Sequence, residues 1–420
     1  MPRGKRVVLL GATGLRKREV AERLAHWTER DLGHRFRIID FEKEYLTNRQ
    51  KRRQPLPSFL AMSVAQQHDE WQKAWADLEQ DGLTDEASEN RILLVHASIV
   101  RGDYGVRCAC QADRIATYAP ETIVTLIDDV HNLWWQTEAR AHGEYHRGRP
   151  TLEQLIMARR CEQLIGDVIS LQTRPPARHL VLAALHPVST LGNYIFTGSK
   201  LVYLSFPITR PREMQQQGDP RGVDAVNGFL ERAYDVQRSS RGSVFVNPLS
   251  IDELQLGQAF SDEDCQTTVI EDGKEVEAVR FDLAERWNLD HLWERDDCLS
   301  PGPIPEENRN PLFKWQLEDA LGLIRSDVGW RDFRLVMQAD ALAVFSPVMA
   351  RGRLSRGVKA EIRAACAQMT PVYVYQDPAL DTEGKFLEWF GTAGTMAADV
   401  AQQWVTPVNS LNELFQRITG

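Results

Sequence analysis

"RGRLSRGVKAEIRAACAQMTPVYVY", residues 351–375, decides the fold class. Val358, Ile362 and Ala365 recur at helical spacing, and "PVYVY" then turns to strand residues, so a helix feeds directly into a buried strand. Upstream, "RDFRLVMQADALAVFSP" reads as a helix entering another apolar strand. Further out lie "KLVYLSF", "GSVFVNP" and a last short strand in "VTPVNSLNELFQRI", whose Asn409 or Ser410 suits a helix cap. Five strands alternating with helices specify a doubly wound parallel α/β sheet, whose ligands bind beyond the carboxyl ends of the strands. The charged stretch 258–311 interrupts this unit as an insertion. It contains a strand pair around the "DG" of "TTVIEDGKEVEAVRF" and closes in the Pro-rich loop "SPGPIPEENRNP".

The first half repeats the alternation. "KRVVLLGATGLRKREVAERLAHW" runs from strand through a Gly turn into an amphipathic helix, and apolar strands follow at "FRIIDF", "RILLVHASIV", "TIVTLIDDV" and "HLVLAALHP". The expected organisation is therefore two domains, 1–198 and 199–420. The first turn resembles the P-loop of adenylate-kinase-like NTPases. Gly11, Gly14 and Lys17 suit a phosphate cradle, and Asp128 and Asp129 stand where that resemblance implies a place for Mg²⁺ beside ATP. Arg16 and Arg18 depart from the pattern, because a side chain obstructs the tight position and the magnesium-binding hydroxyl is missing. A tight turn in a Rossmann-like sheet is the alternative, with the paired acids as helix caps. Arg159 and Arg160 face solvent by default, or touch phosphate.

The 420 residues exceed one ordinary core, which agrees with two domains. No apolar run reaches membrane-spanning length, so no membrane association and a cytoplasmic location are expected. A net charge of −9 argues against a nucleic-acid partner. Six scattered cysteines without a C-x-x-C pair read as reduced thiols.

"YLSFPIT", "RDFRLVMQADALAVF" and "SRGVKAEIRAA" together resemble the nucleoside 2-deoxyribosyltransferase superfamily, most nearly its 2′-deoxynucleoside 5′-phosphate N-hydrolase branch, over residues 199–420 outside the insertion. The motifs occur in the family's order: Tyr203 at a strand end, Asp332 before Ala339 and Asp340, and Ser355 to Glu361. The resemblance implies a Glu361 nucleophile, Asp332 as general acid or base-orienting group, and Tyr203 holding Glu361, with no cofactor. Ser205, Pro207, Arg210, Arg212, Asp340, Ser355, Arg356 and Gly357 are the implied substrate residues. It also implies a homo-oligomer and a small-molecule nucleotide as the bound partner.

This chemistry suits those residue types. Breaking an N-glycosidic bond leaves oxocarbenium character at C1′, which a carboxylate beneath that carbon stabilises or captures. A helix start with arginines beside it suits a 5′-phosphate. Ser355 replaces the acidic residue of the transferases proper, which favours phosphorylated substrates, while "SFPITRPR" lacks the glycines of the N-hydrolase loop. Deoxynucleotide, ribonucleotide and NAD stay open as substrates. A nucleotide kinase and a non-enzymatic nucleotide sensor are the alternative functions. Singly, Glu361 could be an exposed helix residue, Asp340 a strand-start cap and Ser355 an N-cap; Phe206 and Phe345 read as core.

Overall fold

The computed structural model describes residues 4–48, 55–83, 88–101, 105–141, 150–271, 273–280, 298–299, 309–346, 355–377 and 403–420. Two five-stranded parallel sheets flanked by helices make the protein an α/β structure. In the first sheet, β1 (Arg6–Gly11), β2 (Phe36–Asp40), β3 (Asn90–Leu94), β6 (Thr122–Ile127) and β7 (Arg178–Ala183) are ordered β2-β3-β1-β6-β7. The strands β1 and β6 are buried along their whole length, as a sheet covered on both faces requires. A hairpin of β4 (Ser98–Arg101) and β5 (Gly105–Cys108) follows β3, so "RILLVHASIV" contains two strands broken at Val95–Ala97.

The second sheet contains β8 (Lys200–Ser205), β9 (Ser243–Val246), β13 (Ala341–Ser346), β14 (Val372–Gln376) and β15 (Val405–Val408), in the order β15-β14-β13-β8-β9. Its core is aromatic. Phe229 stacks on Phe345 at 5.0 Å and on Phe415 at 5.8 Å, with Phe206 edge-on at 6.1 Å, so Phe206 and Phe345 are core residues as expected.

The chain divides into two compact units. The first takes in residues up to Leu185 and the described parts of Ile251–Asp282 and Cys298–Asp327; the second takes in His186–Ser250 and the described residues from Val328 onward. This differs from a boundary at 198/199: the helix Val188–Phe196 belongs with the second unit. It also differs in the stretch expected as an insertion, much of which packs with the first unit. There β10 (Gln266–Glu271) and β11 (Lys274–Val279) form the expected antiparallel pair, Gly273 turning at φ +77°, and β12 (Leu312–Phe313) adds a third strand. Residues 281–297 and 300–308 of that stretch lie outside the described residues.

A buried ion network explains the allegiance of 251–327. Arg159, on the helix Leu152–Gln172, is 1% exposed rather than solvent-facing. Its guanidinium donates to both Glu253 oxygens at 2.7 and 2.9 Å, to Asp327, and to the Asp128 carbonyl at 2.7 Å. Arg160 reaches the other Asp327 oxygen, and Glu253 also accepts the Val130 N–H at 2.7 Å. Such a network holds register because each charge, once buried, depends on its partners. Arg159→Ala is therefore expected to destabilise the protein by about 3–5 kcal/mol in urea unfolding, by stranding two carboxylates, whereas Arg160→Ala costs clearly less.

Candidate active site

The second unit gathers its polar side chains at the carboxyl end of β8. Successive strand residues face opposite sides, so Tyr203 and Ser205 point to one face. The helix Arg356–Ala367 presents Val358, Glu361, Ile362 and Ala365 inward at spacings of three and four residues. Glu361 is thus the one acid on an otherwise apolar stripe, 6% exposed, not a group raised above the sheet. Tyr203 Oη donates to Glu361 Oε1 at 2.9 Å, and Ser205 Oγ donates to Oε2. Tyr203 lies where the sequence places it. Ser205, expected to contact substrate, instead fixes the carboxylate.

Burial pushes the Glu361 carboxyl up to about 7, and the negative charge of Asp332 adds to the shift. The hydrogen bonds from Ser205 and Tyr203 and the charge of Arg331 work against it. Tyr203 is raised well above the ordinary phenol range, chiefly by burial and then by the Glu361 charge, so it stays a donor. Asp332 sits half-buried on the helix Lys314–Met337, its Oδ1 accepting two bonds from the Arg331 guanidinium at 3.0 and 3.1 Å. Arg331, buried at 3% exposure, is a site residue that sequence reading missed. Its only signal is a charged pair in a helix that enters a core strand.

Around this centre the remaining residues divide. Pro207 is buried just past β8. Arg210 and Arg212 fall on a short helix, Thr209–Gln216, rather than in a loop, with Arg210 paired to Glu213 at 3.1 Å. Ser355 is the N-cap residue of Arg356–Ala367 but makes no side-chain capping bond, and Arg356 and Gly357 are exposed on its first turn. A Cβ at Gly357 would meet nothing among the described residues nearer than Ser355 Oγ at 3.7 Å.

Asp340 does not join the site. It precedes β13, where its carboxylate accepts the Leu201 N–H at 2.7 Å while its own N–H donates to the Leu201 carbonyl at 2.7 Å. This bracket ties the amino ends of β8 and β13. At about 3.3 Å per residue, Leu201 and Ser205 stand roughly 13 Å apart along the strand.

In the first unit, the glycine turn is already filled by a carboxylate. Glu162, fully buried, accepts the N–H groups of Gly11 at 3.1 Å, Ala97 at 3.3 Å and Ser98 at 2.7 Å, and the Ser98 hydroxyl at 2.7 Å. Burial raises its carboxyl, and the charge of Lys17 works against that rise. Lys17 Nζ donates to the Gly11 carbonyl at 2.7 Å and lies 2.8 Å from His96 Nδ1. Gly14 serves packing: at φ +97°, a Cβ there would lie 2.6 Å from the Leu133 carbonyl oxygen. Asp128 and Asp129 are committed to structure. Asp128 Oδ1 accepts the Asp129 N–H at 2.8 Å and the Asn132 side chain at 3.3 Å, and Asp129 Oδ1 accepts the Asp252 N–H at 2.7 Å. None of these bonds caps the helix Val130–Ala141, whose first N–H, that of Val130, is taken by Glu253. Among the described residues no cluster of three or more His, Cys, Asp or Glu side chains could hold a metal, and no helix is long and apolar enough to cross a membrane.

No family model matches the sequence, and no curated protein matches it. Among solved structures it is matched to phosphoglycerate kinase from Coxiella burnetii, 10% identical over 99% of this chain and 94% of that one, with a TM-score of 0.18, too low to carry an argument.

The raised Glu361 carboxyl sets a pH-dependent stability. An acid whose folded pKa lies above its ordinary 4.5 takes up a proton on folding, so the contribution of Glu361 to stability is most favourable below about 4.5 and declines as pH rises to about 7. Glu361→Gln removes that penalty, worth on the order of 3 kcal/mol. The melting temperature of the variant should exceed that of the parent at pH 8 and match it at pH 4.5; equal melting temperatures at pH 8 would show an ordinary carboxyl.

Proposed function

We propose that the second unit is an N-glycosidase acting on a 5′-phosphorylated nucleoside, with Glu361 as nucleophile. The observation that carries this reading is the Glu361 carboxylate buried at the carboxyl end of a parallel strand and held by two hydroxyls of that strand, Tyr203 and Ser205. A carboxylate has four lone-pair positions, so two bonds fix its orientation and leave it able to attack. Attack forms a C1′–O bond to Glu361 as the C1′–N bond breaks, and the electron pair leaves with the base. A proton must reach the base nitrogen. Asp332 lies close enough for its charge to raise Glu361, and Asp332 as general acid would supply that proton to the departing base. Water then cleaves the glycosyl ester, or a second base does so in a transfer reaction.

The first turn of Arg356–Ala367, with Ser355 and Arg356, supplies N–H groups suited to a phosphate about five residues, roughly 7–8 Å of helix rise, from Glu361. The arginines of Thr209–Gln216 follow β8 and suit the same anion. The kinase alternative loses support because Lys17 and the Gly11 N–H are occupied by internal partners.

Release of free base from a panel of deoxynucleoside and ribonucleoside monophosphates and NAD, followed by chromatography, tests the reading. Expected are turnover with a phosphorylated substrate, a rise in rate through about pH 7 as Glu361 ionises, and a loss of about 10³-fold or more in Glu361→Ala. Tyr203→Phe should lose less, since Ser205 still holds the carboxylate. Base release that survives Glu361→Ala rejects the nucleophile.

A further inference from the structure

The outer end of the hairpin brings two thiols together. Cys108 is the last residue of β5 and Cys110 stands two residues on, a spacing that puts both side chains on one face of an extended chain. Cys108 is exposed and Cys110 half-buried. The two thiols hydrogen-bond to one another, and the protonated Cys108 Sγ also donates to the Cys110 carbonyl at 3.3 Å. Cα atoms separated by one residue lie at most about 7 Å apart, and less at a bend such as the one at Cys110, which brings them into the range of about 4.4–6.8 Å that a disulfide spans. Near the pair, on the helix Leu152–Gln172 that packs against β5, lie Cys161 and Glu162. Glu162 accepts the hydroxyl of Ser98, the residue paired with Cys108 across the hairpin.

We propose that Cys108 and Cys110 form a dithiol exchange site that reduces a low-molecular-weight disulfide and closes into a disulfide of their own. The exposed Cys108 is the attacking thiol and the half-buried Cys110 the resolving one. Their ionisation fits that division. The hydrogen bond from the Cys110 thiol brings Cys108 down to about 6, although burial and the Glu162 charge oppose it. The same bond, followed by burial, holds Cys110 well above the ordinary thiol range. The Cys108 thiolate attacks one sulfur of R–S–S–R, forming a Cys108–S–S–R bond and releasing one RS⁻. Cys110 then gives its proton to solvent and attacks the Cys108 sulfur, and the second RS⁻ leaves. Two protein thiols are oxidised by two electrons and the small disulfide is reduced to two thiols. Attacker and resolver both come from this chain, so the oxidant needs only one accessible sulfur, which suits a small molecule. The inference is independent of the glycosidase reading, since every residue it uses lies in the first unit.

Exchange with dithiobis(nitrobenzoate), a small aromatic disulfide, tests it. The reduced full chain, freed of reductant, is mixed with one equivalent at pH 6, quenched with iodoacetamide and digested with trypsin, which yields Cys108–Arg114 without any other cysteine. The parent should release two chromophores per chain in a phase at least about tenfold faster than its other thiols. Its Cys108–Arg114 peptide should be lighter by two hydrogens and carry no adduct. Cys110→Ala should release a single chromophore, more slowly, and keep the other half of the reagent on Cys108. Cys108→Ser should lose the fast phase, and Cys161→Ser should keep it, both with the circular dichroism of the parent. A parent without a fast phase, a fast phase that survives Cys108→Ser, or a lasting adduct on Cys108 of the parent overturns the proposal.

Discussion

A carboxylate between a sheet and its covering helix must be held, or it unfolds what covers it. Glu361 meets that condition through two hydroxyls two residues apart on β8, which strand alternation brings to one face. The register of Arg356–Ala367 on the sheet, the parallel pairing of β8 with β13 and the amino-end bracket made by Asp340 all serve to bring one helical side chain to those two hydroxyls. The arrangement leaves the carboxyl about half ionised near pH 7, a state that suits the proposed nucleophile.

Glu162 shows the opposite solution to the same problem. It too is buried at a strand end, but three backbone N–H groups, a hydroxyl and the neighbouring Lys17 surround it. Each of those donors points at the acid itself, so the group acts as an internal anion tying the end of β1 at Gly11 to Ala97 and Ser98 beyond β3. Among the described residues Glu361 has hydroxyl donors only, and a second carboxylate nearby opposes its charge. A saturated acid stabilises a turn. An acid balanced between two protonation states is suited to transfer and attack.

Much of this is legible in the sequence. All ten strands of the two parallel sheets can be read as short runs rich in apolar residues, most plainly the central ones buried on both faces. The Tyr203–Glu361 pairing follows from ordered motifs whose spacing already encodes one strand and one helix. The 358, 361, 362, 365 spacing likewise puts an acid on the buried stripe of that helix. What is not legible depends on distance along the chain. Arg159 reads as exposed because its partners, Glu253 and Asp327, stand 94 and 168 residues away. Glu162 is invisible for the same reason, its contacts lying 64 to 151 residues off. Asp340 reads as part of the site because spacing gives no indication of which end of a strand a side chain serves.

The most direct test is to trap the glycosyl intermediate. A phosphorylated nucleoside carrying fluorine at C2′, which slows hydrolysis of the ester by destabilising its oxocarbenium-like transition state, would be incubated with the full chain, quenched and digested for mass spectrometry. The account predicts that the peptide containing Glu361 gains the mass of the fluorinated sugar phosphate with release of free base, and that Glu361→Gln gains none. Base release accompanied by a label on another residue, or by an unlabelled Glu361 at every time point, would contradict it.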